Sequence, residues 1–338
     1  SVHALLEYDE VKLLTELGYE VYSHGAYRDP RGAYTLPRPG IGGMKFNQSF
    51  FDLTGLHPKT NLPPELIDPY DTIIIMSGEN EAPLIQNWKR IKHKRIILRT
   101  IGQSTGNTEY AIQKMRSEGL EIVRYSPKEQ NIPNYAGGDR VIRFYKDPNE
   151  FNGWVGNNPV PINFSQSLRG RSKFLHYEQV MGAMSGFKGA VVYGSGNDDL
   201  GKFNGGEIPF DKQLDTYRQS GAYLYAGTWP ASYTLSFVEA LMTGIPVVAA
   251  SKKIAHIKDL EQFDFYEVDE IIEHKVSGLI CDNIEDMRYW LQWLIDNKVE
   301  AKKIGERGRA RAIELFGKTT IAKQWKEFLD EGVKKDVS

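Results

Sequence analysis

The sequence has a single cysteine, Cys281, in 338 residues, which excludes an intrachain disulfide framework and favours a reducing compartment. It has no run of about 18 apolar residues, the length an ordinary membrane-spanning helix needs, so only peripheral membrane contact stays open. The N-terminus lacks the basic-then-apolar order of a signal peptide. Charge of one sign is also missing: 42 Lys and Arg stand against 44 Asp and Glu, which argues against nucleic-acid binding through bulk positive charge. The seven histidines are scattered, and no Asp-x-Asp lies near a strand end. Asp198-Asp199 is adjacent rather than spaced and reads as a turn, so no metal-ligand set is visible. No solenoid-type repeat occurs, and nothing specifies an oligomeric state. The expectation is a cytoplasmic, metal-independent protein without a separate cofactor.

What is present is an α/β rhythm. A chain of this length exceeds one ordinary core, so two domains are expected. Leu5, Leu6, Val11, Leu13, Leu14 and Leu17 mark a first helix face, and Tyr19 to Ser23 reads as a strand. No strand precedes that helix, so a first strand is expected to be missing. Residues 25–68 form a Pro-, Gly- and Asn-rich excursion, with Arg28, Arg31, Tyr34, Arg38, Phe46, Phe50 and Phe51 as candidates for acceptor choice, although packing on the first domain explains them equally. Strands over 71–76, 95–100, 120–125 and 140–145 then alternate with helices over 82–91 and 109–118, the pattern of a parallel sheet covered on both faces.

Phe151 to Pro161 reads as a linker, and the rhythm restarts with strands over 162–167, 190–194, 222–226, 246–250 and 278–281. Helices are expected over 174–185, 211–219 and 235–243, and three more helical stretches follow 284. The domains expected are 1–157, on the acceptor side, and 158–316, on the donor side. A last helix, 317–338, carries Ile321, Trp325, Phe328 and Leu329 on one face and is expected to return to the first domain.

In open parallel sheets ligands bind beyond the carboxyl ends of the strands. The most informative such loop follows 222–226 and runs AYLYAGTWPASYTLSFVEALMTGIPVVAA. A helix is expected to start near Ser232 to Thr234, whose hydroxyls can cap it; its free N–H groups, with Leu235 and Ser236 following, suit a diphosphate, and Glu239 on that helix suits a hydroxyl. Alone, such a glutamate is more often a capping or surface residue.

This segment resembles the donor-site signature of glycosyltransferase family 4, a family of the GT-B fold. Thr234-Leu235-Ser236 matches the family's turn, Glu239 its second glutamate, and Gly244-Ile245-Pro246-Val247-Val248 its following strand. Gly227-Thr228 replaces a Pro-Ser, and the first glutamate of the pair falls on Ala231. Weaker similarity extends over about 141–329, including VIRFYKDPNEF, EIPFDKQLDTYRQS and EIIEHKVSGLIC.

The resemblance implies two doubly wound Rossmann-like domains facing a central cleft. It also implies retaining transfer from a nucleotide diphosphate sugar to a hydroxyl acceptor whose identity is open, with Glu239 at the nucleoside ribose. Arg169, Arg171 and Lys173 lie in a loop after the strand 162–167, where cations can neutralise a leaving diphosphate; Lys173 matches the family lysine, whereas the family arginine falls on Ser167. A solvated basic loop is the competing reading. Gly194 and Gly196 match a Gly-x-Gly near the nucleotide, although a plain turn explains them equally, and Ile208 and Pro209 are candidate base neighbours.

On the acceptor or sugar side the candidates are Gln103 and Ser104, where relatives place a histidine, together with Glu79, His24 and His3. Two competing functions stand beside transfer: a non-catalytic nucleotide-sugar or carbohydrate-binding protein on a degenerate scaffold, and a nucleotide-sugar epimerase.

Overall fold

The computed structural model describes residues 4–23, 45–46, 67–77, 82–102, 104–255 and 263–336. The chain divides into two units. Unit 1 comprises Ser1–Tyr145, Phe263–Phe265 and Thr319–Ser338, and unit 2 comprises Lys146–Gln262 and Tyr266–Lys318. The chain thus enters unit 2 at Lys146, upstream of the Phe151–Pro161 segment on which the sequence boundary of 157/158 rests.

In unit 1 the helix Ala4–Glu16 precedes β1 (Tyr22–Ser23), which pairs in parallel with β2 (Lys45–Phe46). A four-stranded parallel sheet follows in the order β3 (Thr72–Ser77), β4 (Arg95–Thr100), β5 (Glu121–Arg124) and β6 (Arg140–Val141), with helices Ala82–Ile91 and Gly106–Ser117 as crossovers. Side chains alternate across it. Ile97 and Val123 pack with Leu13, Leu14 and Trp325 on one face, while Ile96, Leu98 and Ile122 pack with Trp88, Ile112 and Met115 on the other.

The strand expected over 140–145 ends at Val141, because the Arg99 guanidinium takes the next carbonyls, donating to Ile142 O (2.6 Å) and Arg143 O (3.2 Å). Arg99 is itself buried against Glu10 (2.7 Å), whose carboxyl burial pushes above its ordinary range while Arg99 opposes the shift. The last helix, Lys318–Asp336, contributes Ile321, Trp325, Phe328 and Leu329 to the unit 1 core.

In unit 2 six parallel strands lie in the order β12-β11-β10-β7-β8-β9, where β7 is Asn158–Phe164, β8 Val191–Tyr193, β9 Asn204–Gly206, β10 Ser220–Tyr225, β11 Val247–Ala250 and β12 Leu279–Cys281. Strand β9 has no counterpart in the sequence reading, since Asn-Gly-Gly carries no strand propensity. Strand β7 starts before the expected 162 and includes Pro159 and Pro161; the pairing with β10 shifts register between Ser220 and Ala222, which accommodates residues without an N–H. The helix expected over 174–185 is two, Ser172–Leu175 and Tyr177–Met184, broken at His176, whose φ of 53° is left-handed. Strand β10 is buried along its whole length, as the centre of a doubly covered sheet requires.

The strand order reverses between β7 and β10, the topological switch point beyond whose carboxyl strand ends open α/β sheets bind ligands. No helix among the described residues is long and apolar enough to cross a membrane.

Candidate donor site in unit 2

Three loops meet at this switch point. The loop after β10 touches the loop after β7 where Trp229 N–H donates to Phe174 O (2.9 Å) and the Phe174 and Trp229 rings stack at 6.0 Å. The loop after β8 is fastened to the same β7 loop by Asn197, which is 1% exposed. Its Nδ2 donates to Ser165 O (2.7 Å) and Gly194 O (3.0 Å), and its Oδ1 accepts from Leu168 N–H (2.8 Å).

The glycines of that loop serve this packing. Gly194 has φ 132°, and a Cβ there would stand 2.4 Å from Ser165 O; a Cβ on Gly196 (φ 70°) would approach Ser167 Cβ at 3.3 Å. The close approach that Gly194 and Gly196 permit is therefore made by the protein's own β7 loop.

The helix Leu235–Thr243 begins at this edge. Its N-cap, Thr234, makes no side-chain cap bond; instead Thr234 Oγ1 and Ser236 Oγ are paired with each other at 3.0 Å. The first turn therefore offers uncapped N–H groups and the positive end of the helix dipole, about half an elementary charge. Leu235 is buried, and Thr234 and Ser236 are partly exposed.

The three cations of the β7 loop differ. Arg169 is about half exposed, paired with Asp199 (2.9 Å) and stacked over the Tyr177 ring (4.7 Å). Half-buried Arg171 and exposed Lys173 make no side-chain hydrogen bond or ion pair among the described residues, and both belong to the turn that carries Phe174 to Trp229. Ser167, at the family arginine's place, has φ 48° and accepts from Arg171 N–H (2.8 Å) through its carbonyl.

Glu239 is placed differently from the accessible carboxylate that ribose binding calls for. It lies in the second turn, 1% exposed. Its Oε1 accepts from Lys146 Nζ (2.6 Å), and its Oε2 accepts from Gln213 Nε2 (2.8 Å) and Tyr217 Oη (3.4 Å). Burial, reinforced by the Glu239 charge, holds the Tyr217 phenol well above its usual range, so it stays a donor. Lys146 is fully buried beside the Phe151 ring (5.1 Å). Lys146, Gln213 and Tyr217 were not legible as site residues, since the lysine lies 93 residues from its partner.

Ala231 is 6% exposed, with its N–H donating to Thr228 O (2.8 Å). Pro209 caps the Phe210–Gln219 helix and accepts from Gln213 N–H (2.8 Å); it is exposed and Ile208 half-buried. The same helix supplies Gln213 and Tyr217 to Glu239. In unit 1, Ser104 is 4% exposed, just before Thr105, which caps the Gly106–Ser117 helix by accepting from Thr108 N–H. His3, His24, Glu79, Gln103 and most of the 25–68 excursion lie outside the described residues. Among the described residues no group of three or more His, Cys, Asp or Glu side chains is arranged to hold a metal ion.

No family model matches the chain, and no curated protein matches it in sequence. Solved structures match it in fold. HepE of Anabaena, in complex with UDP and glucose, superposes with a TM-score of 0.64 at 16% identity, covering 96% of this chain and 95% of that one. A glycosyltransferase from Rickettsia africae gives 0.65 at 13% identity over 98% and 95% of the two chains. Sucrose-phosphate synthase from Thermosynechococcus elongatus gives 0.65 at 12% over 96% and 92%. The chain therefore has the GT-B architecture of two parallel-sheet Rossmann-like domains.

Proposed function

We propose that the chain is a glycosyltransferase that moves a sugar from a nucleotide diphosphate sugar to a hydroxyl acceptor. The observation that carries this reading is the uncapped N-terminus of Leu235–Thr243 at the β7/β10 switch point, flanked by a loop with two cations, Arg171 and Lys173, that make no side-chain hydrogen bond or ion pair among the described residues. Cations beside free helix N–H groups form an anion site, and a diphosphate matches its charge. HepE, of the same fold, is described in complex with UDP and with UDP-glucose, which supports a nucleotide sugar as the ligand.

In the reaction the bond between the sugar anomeric carbon and the diphosphate oxygen breaks, and its electron pair leaves with the diphosphate. The acceptor oxygen bonds to the anomeric carbon, and its proton passes to the departing diphosphate oxygen. Arg171, Lys173 and the helix N-terminus stabilise the charge that develops, with Arg169 a weaker contributor because Asp199 already neutralises it. No protein nucleophile enters. Retention and metal independence belong to this reading through the family 4 resemblance. So do an acceptor side in unit 1 and, on the strength of the lone buried Cys281, a cytoplasmic setting.

Glu239 then acts on the donor from behind the helix and not as a direct ribose ligand. Ala231, buried where the family has a glutamate, favours a second reading, a binding protein without turnover. Incubation with labelled UDP-, GDP- and ADP-sugars and a panel of hydroxyl acceptors separates the two. Transfer supports the enzyme; donor binding with neither transfer nor hydrolysis supports the binding protein; donor conversion without acceptor supports an epimerase.

A further inference from the structure

Resting on the donor-site reading above, the packing around Lys146 carries the account one step further. The chain enters unit 2 at Lys146 and leaves it after Lys318, and these two crossings are tied together: Lys146 N–H donates to Phe316 O (3.0 Å). From this knot two side chains reach the donor helix. Lys146 Nζ holds Glu239 in its second turn (2.6 Å), and the Phe316 ring meets the Tyr233 ring edge-on at 5.3 Å, immediately before the N-cap Thr234. Lys146, Glu239, Tyr233 and Phe316 are each at most 1% exposed.

We propose that Lys146 and Phe316 form a clamp that fixes the direction of the uncapped helix N-terminus, making Lys146 a positioning residue for the diphosphate. The physical reason is the steep dependence of a helix-end interaction on alignment. The dipole field and the N–H fork act only within the first turn, so a tilt that moves Thr234–Ser236 away from the phosphates loses binding while the nucleoside contacts stay intact. A hydrophobic contact alone would let the helix rock; the ion pair, with both carboxylate oxygens engaged, defines rotation about the axis as well. A buried pair of this kind contributes little net stability, because desolvation offsets the attraction, and geometry is what it supplies here.

The test compares Lys146→Arg, the double variant Lys146→Met/Glu239→Gln, and Phe316→Leu with the wild type. The double variant avoids leaving one buried charge alone, and melting curves confirm that each is folded. Calorimetric titration with UDP and with uridine is the discriminating readout. The clamp predicts that the double variant weakens UDP at least 10-fold and uridine less than 2-fold, that Phe316→Leu shows a smaller selective loss, and that Lys146→Arg restores UDP binding to within about 3-fold. Equal weakening of UDP and uridine, or no weakening, overturns it.

Amide hydrogen exchange without ligand decides the clamp independently of the donor reading. Exchange at the N–H groups of 238–241, which bond back to 234–237, must accelerate in the double variant relative to the rest of unit 2, and unchanged exchange overturns the clamp. A wild type that binds neither UDP, GDP nor ADP sinks the donor-site reading and leaves the exchange result to judge the clamp.

Discussion

Replacing Arg171 and Lys173 together by alanine isolates the electrostatics of the proposed donor site from the stability of the fold. Neither side chain has a hydrogen bond or ion pair among the described residues, so their loss removes no intramolecular bond seen there and stability should stay within about 0.5 kcal/mol. Binding should change more. A charge-assisted bond contributes roughly 1.5–3 kcal/mol; with Arg171 half-buried and Lys173 exposed, solvent screening places them near the low end, about 1.5 and about 1 kcal/mol. The sum, about 2.5 kcal/mol, corresponds to about a 70-fold rise in Kd for UDP at 25 °C. Isothermal titration calorimetry at low salt measures it, and the difference from wild type should shrink at higher salt as the Debye length falls below about 10 Å. An unchanged Kd, or a loss explained by a lower melting temperature, refutes the reasoning. Arg169→Ala is the internal control and should cost less, because Asp199 already neutralises that guanidinium.

Glu239→Ala removes the carboxylate that holds the fully buried Lys146 ammonium at 2.6 Å and should lower unfolding stability in urea by about 3–5 kcal/mol, whereas Glu239→Gln should cost clearly less. Gly194→Ala forces a Cβ to within 2.4 Å of Ser165 O at a left-handed φ and should destabilise by about 2 kcal/mol or more, read from the melting curve. Burial, with Asp286 and Asp282 adding to it, pushes the Cys281 thiol up to about 12 from 9.0. The folded thiol therefore keeps its proton where the unfolded one ionises, so its stabilising contribution is present below pH 9 and is lost as pH rises from 9 towards 12. At pH 8 a thiol reagent should modify Cys281 only after denaturation; rapid native-state labelling contradicts this.

The β/α order of both units was legible because parallel strands buried on two faces read as short apolar runs, as in Ile73–Ile75, Ile96–Leu98 and Val247–Ala250. The switch-point loop was legible through its helix-start residues, Thr234 to Ser236. What escaped the sequence depends on contacts between distant positions. Arg99 ends β6 by binding carbonyls from across the sheet. Lys146 claims Glu239 from 93 residues away, and Asn197 claims the β7 loop. A glutamate on a motif helix looks the same in sequence whether it faces a ligand or a buried lysine. Only packing distinguishes the two, and in the proposed reading it moves the weight of the donor site from Glu239 to the helix end and to Arg171 and Lys173. His176 shows the same limit locally: nothing in Phe174 to Ser185 announces a left-handed break, yet that break separates the cation-bearing turn from the following helix.

The most direct test is a crystal structure of the protein with UDP bound. The account predicts both phosphates at the carboxyl edge between β7 and β10, about 3 Å from backbone N–H groups at the start of the Leu235–Thr243 helix and from the Arg171 or Lys173 side chain. Glu239 should still be paired with Lys146. UDP bound elsewhere, or held here with its phosphates pointing away from the helix, would contradict it.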